Sequence, residues 1–379
     1  MSEILSVGSR VELSIHDLAF GGAGVGRFGE FVVFVPFVCI GERVEVELVE
    51  LKKSFAKAKL VRVLQPSAER VEPMCEYYGA CGGCQYQHIA YPAQLRAKHK
   101  QIADLMQRIG GFDGAVVRPV VPCPSPYSYR NRIMVRTQWS KELNRMKVGF
   151  LEDESRFVVD MDHCRISEPA LNEELQRLRE NPPPKSGVKA VLRVPPEDWD
   201  LPNDSFFQNN FQLLPGLVAA VRDAFKAGGS RCLIDAYCGV GFFSIELADL
   251  CERFAGIEID AMAVRSAKKN AADRNITNGE YLLGPAETLL PQVVGSFKAE
   301  ETTIILDPPR VGCAPSAIEL LRRTLPRQVV YVSCHPATLA RDLKTLCEGG
   351  LFRLESITPL DMFPQTQHVE CVADVRFVE

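Results

Sequence analysis

Cys334 stands within YVSCHPATLARD, Tyr331 to Asp342, a stretch whose residue types and order could carry covalent chemistry. Gln328 to Ser333 is a short β-branched run of the buried-strand kind, and Pro336 opens a segment with Leu339, Leu343 and Leu346 at helical spacing. A cysteine between a strand's carboxyl end and a helix start lies where open α/β sheets bind ligands, and the helix end favours a thiolate. The helix end and neighbouring donors are expected to lower its pKa from the usual value of about 8.5. The same residue also fits a small buried hydrophobe, as most free cysteines are.

Five carboxylates stand at comparable points. Asp235 closes the apolar run Cys232 to Tyr237, which leads into CGVG, and Phe242 to Leu250 follows as a helix. Glu258 and Asp260 end the run Phe254 to Ile259, where an acid can bind ribose hydroxyls. The glycine turn is shorter than the G-x-G-x-x-G dinucleotide fingerprint, which points to S-adenosylmethionine instead. Asp307 ends the strand Thr302 to Leu306, and Pro308-Pro309-Arg310 force the chain out of the sheet there. Glu370 enters the last strand, Val369 to Val378, which follows Arg353 to Leu360.

A second cysteine group lies upstream. CEYYGACGGCQYQ sets Cys75, Cys81 and Cys84 in a C-x5-C-x2-C arrangement, with Cys164 of DMDHCRIS as the best fourth ligand. Zinc or an iron-sulfur cluster could satisfy four thiolates. Zinc usually shows two paired C-x2-C knuckles, so the three-plus-one spacing favours iron and sulfur. Cys238, Cys313 and Cys371 are assigned to core packing.

The elements that must position these residues fall into three domains: 1–66, 67–204 and 205–379. From residue 4 to about 66 short alternating strands predict a five-stranded barrel related to oligonucleotide-binding folds. Its run Lys52, Lys53, Lys57, Lys59 and Arg62 reads as a solvated face or as a phosphate-binding one. Tyr91 to Ile109 predicts an amphipathic helix with Arg96, Lys98, Lys100 and Arg108 on its basic side. Between Tyr127 and Lys147, Tyr129, Arg130, Arg132, Arg136, Trp139, Lys141 and Arg145 interleave rings with cations. That pattern fits single-stranded RNA and an ordinary exposed hairpin equally. NPPPKSG, 181 to 187, is a turn-rich connection. From Ser230 onward strand and helix patterns alternate as in a doubly wound sheet.

The chain has 379 residues, 46% hydrophobic and 24% charged, with 13 cysteines and a net charge of -4. This is ordinary globular composition with no membrane-spanning run, and any polyanion site must be a local patch. No signal-peptide pattern opens the chain, so the cytoplasm is the expected compartment and thiols the expected cysteine state. A monomer is the default expectation.

Taken together the chain resembles the RNA (uracil-5)-methyltransferase family over nearly its full length. The resemblance rests on a barrel similar to a TRAM domain, the four cysteines, FFQNN at 206–210, DAYCGVG at 235–241, GIEID at 256–260, DPPR at 307–310, SCHPATLARDL at 333–343 and HVE at 368–370. It implies an α/β, Rossmann-like S-adenosylmethionine methyltransferase domain, an N-terminal TRAM or OB-like β-barrel, and a cysteine-rich central domain. By the same resemblance Gln208, Tyr237, Glu258 and Asp307 contact S-adenosyl-L-methionine, Cys334 is the nucleophile and Glu370 the general base. Cys75, Cys81, Cys84 and Cys164 hold a 4Fe-4S cluster. The implied reaction is methylation of carbon 5 of a uridine in RNA, 23S rRNA favoured over tRNA. His335 departs from the family, whose members often carry Asn there. Two other readings compete: an amino-methyltransferase using the DPPR strand end, and an iron-sulfur RNA-binding module with a vestigial methyltransferase domain.

Overall fold

Val11, Leu13 and Ile15 are buried while Glu12, Ser14 and His16 between them are exposed, the period-two pattern of a strand with one face on a core. Four further strands repeat it. In the computed structural model, which describes residues 6–153 and 155–378, β1 (Arg10–Leu18), β2 (Gly24–Phe28), β3 (Phe31–Val35), β4 (Arg43–Leu51) and β5 (Phe55–Gln65) close into a barrel of order β1-β2-β3-β5-β4. The core is almost all Val, Leu and Ala. The expected five-stranded barrel is therefore present. Ile4 and Leu5, its first expected residues, lie outside the described ones.

Helix α1 (Tyr91–Leu105) continues as a π turn, Met106–Gly110, so the predicted helix spans both. Lys98 is not on a basic outer face as expected. It is fully buried, and its ammonium donates to the carbonyl oxygens of Phe363 and His368 at 3.1 and 2.8 Å. A lysine tolerates such burial because these acceptors replace water.

Next, β6 (Arg132–Ser140), β7 (Arg145–Leu151), β8 (Val158–Asp160) and β9 (Lys189–Arg193) form a sheet of order β8-β7-β6-β9. Ile133, Val135, Met146, Val148 and Leu192 pack on Leu171 and Leu175 of α2 (Pro169–Glu180). The expected connection at 181–187 joins α2 to β9.

Beyond α3 (Leu214–Gly228), the chain alternates β10 (Cys232–Asp235), α4 (Phe242–Glu246), β11 (Arg253–Glu258), α5 (Ala261–Asp273), β12 (Gly279–Leu283), α6 (Ala286–Val294), β13 (Thr302–Leu306), α7 (Pro315–Thr324), β14 (Gln328–Ser333) and α8 (Pro336–Cys347), then β15 (Phe352–Leu360) and β16 (Glu370–Phe377). The sheet order is β12-β11-β10-β13-β14-β16-β15. The first five strands are parallel and the last two antiparallel. Strand order reverses between β10 and β13, and open α/β sheets bind ligands at such a point, outside the strands' carboxyl ends. The chain divides into two compact units: residues 1–101, 125–194 and 363–368 in one, 102–124, 195–362 and 369–379 in the other. No helix among the described residues is long and apolar enough to cross a membrane.

Candidate active site

Three strand ends meet at the carboxyl edge of the seven-stranded sheet. β14 runs parallel to β13, with Leu306 opposite Tyr331, so Asp307 and Cys334 leave the sheet on the same side. β16 runs the other way against β14, with Ser333 opposite Cys371. The start of β16 thus lies beside the end of β14, which brings Glu370 to Cys334 although 36 residues separate them.

The Cys334 thiol is pushed up to about 11 by burial and then by Glu370, while the Arg310 guanidinium, which hydrogen-bonds it, pulls the other way. This corrects the expectation of a lowered pKa. The helix end and one cation do not offset burial and two carboxylates. Glu370 is buried, and burial together with Asp307 holds its carboxyl well above the usual range. Burial and the nearby Asp235 likewise raise Asp307 to about 7. His335 caps α8: its Nδ1 accepts from the Thr338 N–H at 3.3 Å. An Asn side chain can accept in the same way, so the departure at His335 keeps the cap.

A cavity of about 730 Å³ opens at the switch point, within the roughly 300–1,000 Å³ of small-molecule sites. Tyr237 and Glu258 line it with Ile257, Ile259, Ala286 and Ile318. Glu258 is aimed by two backbone donors, Gly239 N–H to Oε2 at 3.0 Å and Asp260 N–H to Oε1 at 2.8 Å. The Tyr237 hydroxyl donates to Glu287 at 3.1 Å. Gly241 lies at φ +86°, and a Cβ there would meet the Tyr281 hydroxyl at 2.7 Å, so the turn after β10 requires glycine. Asp235 does not line the cavity. It is fully buried, accepts from the Ser244 N–H at 3.1 Å to anchor α4, and is raised to about 7 by burial. A mainly apolar cavity with one oriented carboxylate at its edge fits an adenosine moiety.

Gln208 is buried and lines neither this cavity nor the cysteine cavity below. Its neighbour Asn210 ties the FFQNN loop down: Nδ2 donates to the Met362 carbonyl at 3.1 Å, and Oδ1 accepts from Gln212 and Leu213 just before α3.

Sequence reasoning missed two contributors. Arg310 was read only as part of a strand end, yet it sits between Pro309 and Val311 of the cavity wall and bonds the thiol. Asp342, buried on α8, accepts from the Cys313 N–H at 2.9 Å and the Tyr331 hydroxyl at 2.7 Å, and Arg341 donates to the Val311 carbonyl at 2.9 Å. These bonds fix the loop that carries Arg310. The only sequence signal for them was their place in ARD, one helical turn beyond Thr338.

In the other unit, Cys75, Cys81, Cys84 and Cys164 line a single cavity of about 210 Å³ together with Arg130, Met134 and Phe150. Gly83 donates its N–H to the Cys81 sulfur at 3.4 Å, and a Cβ at Gly83 would stand 3.3 Å from that sulfur. Burial raises the thiols of Cys75, Cys81 and Cys84, Cys81 to about 11, with further upward pushes from the neighbouring cysteines. Among the described residues the only three metal-ligating atoms within 4.8 Å of one another belong to Glu76, Asp162 and His163, so no three of these sulfurs are that close. One tetrahedral zinc, with Zn–S bonds of about 2.3 Å, needs its sulfurs about 3.8 Å apart. A cluster gives each thiolate its own iron, so it does not require that spacing.

Residues 185–375 match the family model described as tRNA (Uracil-5-)-methyltransferase, and residues 5–61 match the TRAM domain. An RNA methyltransferase of Synechocystis sp. is 30% identical, the match covering 100% of this chain and 98% of the relative. One from Nostoc sp. is 32% identical over 97% of this chain and 96% of its own. Among solved structures, the tRNA (uracil-54, C5)-methyltransferase of Pyrococcus abyssi, in complex with S-adenosyl-L-homocysteine, is similar with a TM-score of 0.72 and 26% identity, covering 96% of this chain and 99% of that one. With its barrel, its switch-point cavity and these full-length likenesses, the chain belongs to the RNA (uracil-5)-methyltransferase family and is an RNA methyltransferase.

Proposed function

We propose that the protein methylates carbon 5 of a specific uridine in RNA through a covalent adduct between Cys334 and carbon 6 of the base. The observation that carries this reading is the loop 309–311: Pro309 and Val311 line the cofactor-sized cavity, while Arg310 between them bonds the thiol facing Glu370. S-adenosylmethionine, when bound, supplies an electrophilic methyl group. Tyr237 and Glu258, which line the cavity, would hold it, Glu258 through the ribose hydroxyls, and Gln208 and Asp307, outside that lining, would contact it as the family resemblance implies. The Cys334 thiolate adds to carbon 6, forming a carbon–sulfur bond and moving an electron pair towards carbon 5 and O4 of the ring. Carbon 5 then takes the methyl group, the methyl–sulfur bond breaking to leave S-adenosyl-L-homocysteine, but still bears its proton. Glu370, as carboxylate, removes that proton, the ring electrons re-form the double bond, and the thiolate leaves. Its raised pKa makes it a stronger base for this step. Arg310 stabilises the thiolate at both ends of the cycle.

Cys75, Cys81, Cys84 and Cys164 hold a 4Fe-4S cluster that braces the loops they come from. The barrel and this cysteine set support 23S ribosomal RNA as substrate, acted on by a cytoplasmic monomer. A second reading, transfer RNA, is supported by the likeness to a tRNA enzyme over 96% of the chain. One experiment separates them: anaerobically purified protein, methyl-labelled S-adenosylmethionine and total RNA from a methylation-deficient strain, followed by digestion. Label in 5-methyluridine is expected, and the RNA fraction that carries it identifies the substrate. Label in an exocyclic amino group would overturn the Cys334 mechanism, and cofactor binding without label would favour a binding module.

A further inference from the structure

Strands β6, β7 and β9 carry Arg132, Arg136, Arg145, Lys147, Lys189 and Arg193, and no Asp or Glu, in a chain whose net charge is -4. Strand register sets like charges face to face. Arg132 lies opposite Arg193 and Arg136 opposite Lys189, with Met134 opposite Val191 between them. These six side chains share the face turned away from Ile133, Val135, Leu192 and α2. Met134 and Val191 are about half exposed, at 45% and 44%.

Directly opposed like charges destabilise a sheet. Arg145 is neutralised by Asp160, but Arg132, Arg136, Lys147 and Lys189 make no ion pair among the described residues. Arg132 Nε is also buried without an acceptor. The barrel solves the same problem differently: Glu45 faces Arg62, Glu47 faces Lys59 and Glu50 faces Lys57, each closed as an ion pair at 2.7, 2.9 and 3.4 Å. Lys57, Lys59 and Arg62 of the barrel's basic run are therefore paired within the barrel itself. Arg132, Arg136 and Lys189 on the β6/β9 face have no such counter-charge among the described residues.

We propose that the outer face of β6 and β9 is the docking surface for a single-stranded segment of the RNA substrate, a proposal that rests on the reading of the protein as an RNA methyltransferase. The two cation pairs stand about 14 Å apart along the strands, four residues at about 3.4 Å each. They hold phosphates on either side of the Met134–Val191 strip, against which a base lies flat. This face supplies phosphate contacts and no sequence reading.

The test compares wild type with Arg136→Gln/Lys189→Gln, using a fluorescent 12-nucleotide oligouridylate in binding and total RNA in turnover. Two lost phosphate contacts should flatten the log K against log salt slope by about 1.4, at about 0.7 per contact for single strands. KM for RNA should rise at least about fivefold with kcat unchanged, and thermal stability should hold or rise because a like-charge pair is removed. The barrel exchange Glu47→Gln/Lys59→Gln should leave slope and KM unchanged. An unchanged slope in the sheet variant would overturn the proposal, as would a wild type that fails to bind the oligonucleotide or binds a duplex of equal length as tightly. Absence of labelled 5-methyluridine from wild type would instead count against the reaction itself. Label in wild type with an unaltered KM in the variant would count against this surface alone.

Discussion

Cys334 and the quartet of Cys75, Cys81, Cys84 and Cys164 share a handicap and differ in how their surroundings answer it. Burial raises Cys334 and Cys81 alike to about 11. Around Cys75, Cys81 and Cys84, the neighbouring cysteines push in the same direction, because each thiolate repels the others. The proposed cluster would offset that repulsion with a shared cationic centre. Around Cys334 the opposing charges are single residues, with Glu370 and Asp307 raising the pKa and Arg310 lowering it. A thiol in that setting stays protonated at rest and can give a thiolate one molecule at a time. Burial alone therefore does not distinguish the two settings. The charge of the neighbours does.

The sharpest break of this comparison removes each kind of cysteine. Cys334→Ala should abolish 5-methyluridine formation by at least roughly 10⁴-fold while leaving bound iron unchanged. Glu370→Gln should accumulate an enzyme–RNA adduct stable on a denaturing gel, absent from the Cys334→Ala/Glu370→Gln double variant. An active Cys334→Ala enzyme would end the covalent mechanism.

Cys84→Ser should do the reverse. Anaerobically purified protein should lose its iron and visible absorbance, and its apparent Tm should fall by at least about 5 °C, the shift that loss of 2–3 kcal/mol gives in a domain of this size. Retention of stoichiometric iron would remove Cys84 from the ligand set.

The smallest effect concerns charge around Cys334. With a thiol pKa of about 11, the thiolate is about one part in 10⁴ at pH 7, so adduct formation should rise about tenfold per pH unit between about pH 7 and pH 9. Arg310→Gln removes the cation that favours the thiolate. It should slow the reaction by roughly 10- to 50-fold and move the profile to higher pH, with cofactor affinity measured in parallel to separate an effect on the cavity wall. A flat profile in single-turnover measurements would show that proton loss from Cys334 does not limit adduct formation.

Much of the fold could be read from local pattern. The barrel follows from period-two alternation in Arg10–Leu18 and Arg43–Leu51, and Thr302–Leu306 and Gln328–Ser333 are strands at the predicted residues, because a fully buried parallel strand is a short unbroken apolar run. Boundaries moved where a side chain turned back on its own backbone: the strand expected to reach Tyr237 stops at Asp235, which bends to hold Ser244. Lys98 was misplaced because helical spacing separates faces but does not reveal that two distant carbonyls await a cation.

By itself the sequence determined which elements form, which residues end the strands and which residue types are present for chemistry, since these depend on side-chain periodicity, proline and glycine over a few neighbours. Only the tertiary structure decided that Glu370 meets Cys334, because an antiparallel last strand brings its beginning to the end of β14. It also decided the sign of the Cys334 shift, which depends on burial and on charges from Asp307, Arg310 and Glu370, brought together by three strands that the sequence keeps apart. The same holds for the two basic stretches, both rich in cations but differently paired: cross-strand register places glutamates against Lys57, Lys59 and Arg62 of the barrel and cations against those of β6 and β9. Register is a long-range property, set by how whole faces bury, and no short window of sequence contains it.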